Sequence, residues 1–243
     1  MACTASPRAW SPAVSWWCCL TDLAVPGPPP AARPLFGDRL DRAVRYAELL
    51  AGAGVARGLV GPREAPRVWD RHLMNCAVVA SLLPPACSVL DVGSGAGLPG
   101  IVLALVRTDL RVTLVEPMRR RTVFLEECVT ALALAPTVTV RRERAEALHG
   151  LLTADVVIVR ALAPLGRLVD LCWPLVGAGG RLMAMKGAAA DVEVQRDRSR
   201  LPPDGELSIR ICGSGVVDPP ATVVVVRRLP STERVSGGRD GRD

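Results

Sequence analysis

The sequence predicts an α/β protein in which a largely parallel, doubly wound sheet carries an N-terminal helical cap. Three observations predict it. A strand, a glycine-rich turn and a helix follow one another from Ser88 to Arg107, SVLDVGSGAGLPGIVLALVR. The next apolar run ends in Glu116, about twenty residues on, where doubly wound folds place the acid that grips a ribose. Beyond it, short apolar runs alternate with helical stretches, the pattern of parallel sheets. Two β-like runs then follow each other with no helix between them.

Residues 1–34 contain Pro26, Pro28, Pro29 and Pro30 and are expected to be a disordered extension. Ser15–Leu20 is apolar, but it is short, Asp22 interrupts it, and no basic region with a small-residue cleavage site frames it as a signal peptide. The helical cap is expected over 35–85. From Asp38 to Ala53 the apolar positions Leu40, Val44, Ala47 and Leu50 recur at helical spacing, and Gly52 and Gly54 are expected to end that helix. Gly61-Pro62 marks a turn. A second helix is expected from Ala65 to Leu83, with Leu73, Ala77 and Ala80 inward, stopped by Pro84-Pro85.

The α/β domain is expected over 86–230. Val89–Val92 is too brief and too uniform for an amphipathic helix and reads as a strand buried on both faces. Gly93, Gly95 and Gly97 allow a sharp turn and close approach of a ligand. Pro99 suits a first helical turn, and Ile101, Val102, Leu105 and Val106 form an apolar stripe. Further strands are expected at Val112–Val115, Val138–Val140, Asp155–Val159 and, after Gly179-Gly180, Arg181–Met185. Between the second and third strands a helix carries Val123, Phe124, Cys128 and Ala131. Its opening arginines, Arg119, Arg120 and Arg121, oppose the helix dipole, so they suit a solvated face or contact with an anion. Leu207–Ile211 and Thr222–Arg227, joined through Pro219-Pro220, fit an antiparallel pair closing the sheet. The Gly- and Arg-rich tail, 231–243, is expected to be disordered.

Composition narrows the function classes. Hydrophobic residues make up 49% and charged ones 22%, and no run reaches the eighteen or so uncharged apolar residues of a membrane span. A net charge of +6 suits an anionic partner such as RNA. The cations are almost all arginine; Lys186 is the one lysine. Eight cysteines fall into no disulfide framework, and with His72 and His149 the only histidines no metal site is expected. Free thiols of this kind point to a reducing cytoplasm.

Ligands of open parallel sheets bind beyond the carboxyl ends of the strands. Asp91, Glu116, Glu146, Arg160 and Lys186 all fall at or just past a strand end, on one rim. Arg71, His72 and Asn75 are polar residues on an otherwise apolar cap helix, suited either to capping backbone or to chemistry.

These residues resemble a known family. Trp69-Asp70-Arg71-His72-Leu73 with Asn75, Asp91-Val92-Gly93-Ser94-Gly95-Ala96-Gly97-Leu98-Pro99-Gly100, Glu116-Pro117 with Arg120-Arg121, Arg144-Ala145-Glu146, Arg160-Ala161, Lys186-Gly187 and Pro219–Val224 are similar to the glucose-inhibited division protein B family in its actinobacterial form. Its members are ribosomal RNA small-subunit methyltransferases of the Rossmann-like class I, S-adenosylmethionine-dependent fold. The resemblance spans roughly Phe36 to Arg228 and implies methylation of guanosine N7 in the decoding-region loop of 16S rRNA. It implies that 86–230 is the methyltransferase domain and that the substrate is 16S rRNA or the small ribosomal subunit; the single domain is itself expected to act as a monomer. It implies that Gly93 and Leu98 lie against the cofactor within the turn Asp91, Gly93, Gly95 and Gly97. Glu116 would hold the ribose, Ala145 and Glu146 would flank the adenine, and Arg160 would line the methionine end. Val159 stands where the family usually has serine.

Guanine N7 carries an in-plane lone pair and needs no deprotonation, so no catalytic acid or base is assigned. Arg71, His72 and Lys186 are the candidate contacts to RNA phosphate. Three rivals remain open. One is a nicotinamide-dependent oxidoreductase, whose glycine spacing differs from that of Gly93, Gly95 and Gly97. The others are a non-catalytic rRNA-binding assembly factor and a methyltransferase with another substrate.

Overall fold

Alternation at a period of two decides the side of the sheet on which each strand residue packs. In the computed structural model, which describes residues 25–230, one seven-stranded sheet has the order β3-β2-β1-β4-β5-β7-β6. The strands are β1 Ser88–Val92, β2 Arg111–Val115, β3 Val138–Arg141, β4 Ala154–Arg160, β5 Val176–Lys186, β6 Gly205–Cys212 and β7 Ala221–Arg228. The first five are parallel, and β7 is antiparallel to both β5 and β6. Val89, Leu114, Ile158, Met183 and Val223 join one buried cluster; Leu90, Val92, Val157, Val159 and Val224 join another on the opposite face. Val159 is fully buried there, so valine replaces serine at a packing position. This is the expected doubly wound α/β sheet with a closing antiparallel pair, and helices precede it.

The chain before the sheet is helical in short pieces. It comprises α1 Ala32–Phe36, a 3-10 stretch Gly37–Arg39, α2 Leu40–Leu49, a π-helical stretch Leu50–Gly54, a 3-10 stretch Pro62–Arg67, a second π-helical stretch Val68–Met74, α3 Asn75–Ala77 and a 3-10 stretch Val78–Leu82. Ala32 is fully buried, so the boundary drawn after residue 34 falls inside α1. The remainder of the expected extension, 1–24, and the tail 231–243 lie outside the described residues. Gly52 and Gly54 do not end the first long helix. Helix continues to Ala56, and the left-handed residue that stops it is Gly58, at φ 65°.

The remaining helices are α4 Gly100–Val106, α5 Arg119–Ala131, α6 Leu165–Cys172 and α7 Ala190–Asp197. The cap shares the first cluster with α4 and α5, whereas α6 and α7 cover the other face. Every residue of α4 from Gly100 to Leu105 is buried, not only the expected stripe, because cap and sheet enclose it from both sides. Pro99 is the residue before the helix rather than its first turn. In α5 the buried set is Thr122, Phe124, Leu125, Cys128 and Val129; Val123 and Ala131 face outward. β5 begins five residues before Arg181, and its pairing with β4 is irregular after Ala154. A Cβ on Gly180 would lie 2.7 Å from the Asp155 carbonyl oxygen, so glycine is needed where the strand bends past β4.

Polar bonds tie the cap to the sheet. Tyr46, fully buried, donates its hydroxyl to the Ala96 carbonyl at 2.7 Å. Arg39 reaches the Ala104 carbonyl at 3.0 Å. Arg107 gathers the carbonyls of Ala80, Leu83 and Pro84, where the cap turns into β1.

Gly100 packs against β1 and β2 so closely that a Cβ would meet Leu114 and stand 2.7 Å from Asp91 Oδ2. Gly100→Ala should therefore lose about 1–3 kcal/mol by overpacking. Gly52, with open space around its Cβ position, gives the contrast. Gly52→Ala should gain about 0.4–1 kcal/mol by restricting the unfolded chain. Urea unfolding midpoints at constant m-value test both.

Candidate cofactor and substrate site

Three consecutive odd-numbered glycines turn the chain out of β1, each left-handed: Gly93 at φ 72°, Gly95 at 59° and Gly97 at 98°. The turn is held by the next strand, because Gly93 N–H donates to the Val115 carbonyl at 2.9 Å. Glu116, at the end of β2 and 1% exposed, folds back onto it. Its Oε2 accepts from Gly95 N–H at 3.1 Å and from Arg121 at 3.3 Å, and its Oε1 accepts from Met118 N–H at 3.0 Å. A carboxylate offers about four acceptor positions, so a further hydroxyl donor can be accommodated.

Asp91 is fully buried beneath the turn. Its Oδ2 accepts from Gly100 N–H at 3.0 Å, while its Oδ1 has no hydrogen-bond partner among the described residues. Burial raises its pKa to about 7 against the opposing pull of the Gly100 hydrogen bond, while the Ser94 hydroxyl donates to the Asp91 backbone carbonyl at 2.8 Å. An orphaned buried acceptor beside three left-handed glycines fits a ligand that brings donors to this turn. These residues fit S-adenosylmethionine, the cofactor the resemblance implies. Gly93, Gly95 and Leu98 are half-exposed along the turn. Ala145 and Glu146 form a short 3-10 turn beyond β3, the first buried and the second exposed.

Arg160 ends β4 across the switch point, where the strand order departs in two directions from β1. The cap grips it. Nη1 donates to Cys76 Sγ at 3.1 Å, and Nη2 donates to the Arg71 carbonyl at 3.3 Å and lies 2.6 Å from His72 Nδ1. A guanidinium only donates, so Nδ1 is the acceptor. The imidazole proton is then on Nε2, 3.1 Å from Glu64 Oε2. Burial and the Arg160 charge lower the His72 pKa to about 4. At neutral pH His72 therefore carries no charge for an RNA phosphate; it is a neutral acceptor that fixes Arg160. Ala161, next in the chain, is held at φ 52°, a strained conformation for a residue with a Cβ.

Lys186 is likewise committed. Its Nζ donates to the Ala163 carbonyl at 2.8 Å and pairs with Glu193 at 2.8 Å, with the side chain only 9% exposed. It ties β5 to α7 and to the loop after Arg160. Arg71, 53% exposed and 3.2 Å from Glu64, is the member of the expected RNA trio most open to solvent. Arg71 and Lys186, but not His72, line one cavity of about 730 Å³ between the cap and the strand ends, with Arg67, Asp70, Asn75 and Arg160 around them and Pro219-Pro220 opposite. Sequence reasoning missed Glu64, Cys76 and Tyr46, whose roles depend on contacts across the fold. It also missed Leu162, whose side chain lies 2.8 Å from where a Gly93 Cβ would stand.

The chain is similar to known proteins over most of its length. A family model described as rRNA small subunit methyltransferase G matches residues 39–213. A Ribosomal RNA small subunit methyltransferase G from Salinispora tropica is 56% identical, covering 83% of this chain and 88% of its own. That of Thermobifida fusca is 56% identical over 85% and 87%, and that of Streptomyces avermitilis 53% over 85% and 88%. Among solved structures, TrmN from Thermus thermophilus shares the fold with a TM-score of 0.50 and 21% identity, over 78% of this chain and 53% of that one.

Because the Asp91 pKa is raised on folding from 3.8 to about 7, the folded state holds this proton more tightly. The stability it contributes is full below pH 3.8 and is lost as pH rises through about 7. Asp91→Asn removes that dependence. Its melting temperature should rise relative to the parent protein as pH goes from 5 to 8; a difference constant with pH would contradict the assignment.

Proposed function

The chain belongs to the rRNA small subunit methyltransferase G family and is an S-adenosylmethionine-dependent methyltransferase, and we propose that its target is N7 of a guanosine in the decoding-region loop of 16S rRNA. The proposal extends to a cytoplasmic monomer acting on the rRNA or on the small ribosomal subunit. The observation that carries it is the pairing of the glycine turn with an adjoining cavity that no histidine lines among the described residues, the nearby His72 giving its Nδ1 to Arg160. Such a site lacks a free histidine base, and N7 needs none. When bound, S-adenosylmethionine supplies its sulfonium methyl group, which the N7 lone pair takes as the carbon–sulfur bond breaks, leaving a neutral thioether and a cationic base with no proton moved.

The protein's part is alignment and exclusion of water. Glu116 receives a ribose hydroxyl, Ala145 and Glu146 flank the adenine, and the half-exposed Gly93, Gly95 and Leu98 lie against the ligand. Gly97, expected beside them, is buried against Ile101 and Tyr46 and shapes the turn. Asp91 offers its free Oδ1 below the turn. Arg160 lines the methionine end, held there by His72. On the substrate side, the carboxylates of Asp70 and Asp218 line the cavity and suit the N1–H and N2–H donors of guanine, which adenine lacks.

Labelled S-adenosylmethionine and small subunits from a strain lacking the protein test this reading, with the product located by cleavage at 7-methylguanosine. One cleavage in the decoding-region loop is expected. Glu116→Ala should weaken cofactor binding about tenfold or more, corresponding to about 1.4 kcal/mol or more, with subunit binding unchanged. Cofactor binding without transfer to the subunit would overturn the proposal.

A further inference from the structure

On the cap-side face of the sheet, β5, β7 and β6 place arginines where strand pairing alone disfavours them. Arg181 of β5 lies directly opposite Arg227 of β7, and Arg227 lies opposite Glu206 of β6. Like charges directly opposite in an antiparallel pair are destabilising. Glu206 offsets one of the two, accepting from Arg227 Nε at 3.1 Å and from Nη2 at 2.8 Å. Arg181 has no carboxylate partner among the described residues. Its Nη1 reaches the Leu82 carbonyl at a long 3.4 Å, and its buried Nε has no hydrogen-bond partner. Two positions beyond Ser208 on the same face, Arg210 is exposed and forms no ion pair among the described residues.

These groups surround a small cavity of about 150 Å³ that Ser208 also lines. Three guanidiniums against one carboxylate leave a net positive site with spare donors, including one that is already desolvated. We propose that this cavity binds a backbone phosphate of the RNA substrate, outside the site that holds the target base. A planar guanidinium pair suits a phosphate's oxygens, and the Ser208 hydroxyl adds a neutral donor.

Its position supports the assignment. Met183 lines this cavity and Met185 lines the large one. They are successive residues on one face of β5, about 7 Å apart along the strand. From Arg181 to Lys186 the strand rises about 16 Å, a span that a short run of single-stranded RNA bridges. The phosphate site would thus fix the register of the chain whose guanosine enters beside Arg160. This inference rests on the rRNA reading above.

Arg210→Ala, at an exposed position, tests it with the full protein and unmodified small subunits. One lost phosphate contact should reduce the slope of log affinity against log salt by about 0.7–0.9, raise the KM for subunits several-fold, and leave kcat and cofactor affinity unchanged. Arg210→Glu should raise KM further. Arg227→Ala, already neutralised by Glu206, should do less. An unchanged salt slope and KM in both Arg210 variants, with the parent protein active, would overturn the site without touching the rRNA reading. Thermal stabilisation by inorganic phosphate that Arg210→Ala abolishes, with the RNA slope unchanged, would make it a small-anion site and also overturn the proposal. No transfer by the parent protein would instead fail the reading on which it rests.

Discussion

The Arg160 guanidinium, held from the cap by a neutral histidine, is the interaction on which the arrangement of the site depends. Arg160 ends β4 on one side of the switch point and the glycine turn leaves β1 on the other, so the proposed cofactor groove lies between them. A side chain of this length has many rotamers, and ordering it costs entropy. Cys76, the Arg71 carbonyl and His72 each remove part of that freedom, and all three belong to the cap. The cap also holds the facing wall, through the Tyr46 hydroxyl on the Ala96 carbonyl. One helical layer therefore fixes both sides of the groove.

Charge is arranged in the same spirit. Glu64 lies beside Nε2 of His72 and also meets Arg71; burial and the Arg160 charge outweigh its pull toward the imidazolium, so His72 presents its lone pair to Arg160 as a neutral ring. Lys186 is neutralised by Glu193 while bracing the loop that follows Arg160. Asp91 and Glu116 are buried close to the turn, yet they differ in kind. Glu116 is surrounded by donors, whereas Asp91 keeps one oxygen without a partner. An acceptor left in that state opposes folding, as expected where a site is shaped for a ligand.

Much of the fold was legible because strands and turns announce themselves locally. Val89–Val92, the three glycines and Glu116 lie in one continuous stretch, and the closing pair followed from Leu207–Ile211 and Thr222–Arg227 having no helix between them. The misreadings came from layers the sequence does not display. The second buried face of α4 exists only because the cap lies over it. Gly52 and Gly54 look like stops, but Leu50–Gly54 packs against the core and continues as helix. The roles of His72 and Lys186 were hidden for a similar reason. Each is a cation by type, and its charge state or partner is set by Arg160 or Glu193 brought in by the fold.

Calorimetric titration of S-adenosylmethionine into the parent protein, His72→Leu, Arg160→Ala and the double variant tests the clamp most directly. If His72 acts through Arg160, His72→Leu weakens binding, the double variant binds no worse than Arg160→Ala alone, and His72→Asn, whose amide oxygen can replace Nδ1 as acceptor, recovers most of the loss. Unchanged binding in His72→Leu, or two losses that simply add, would contradict it.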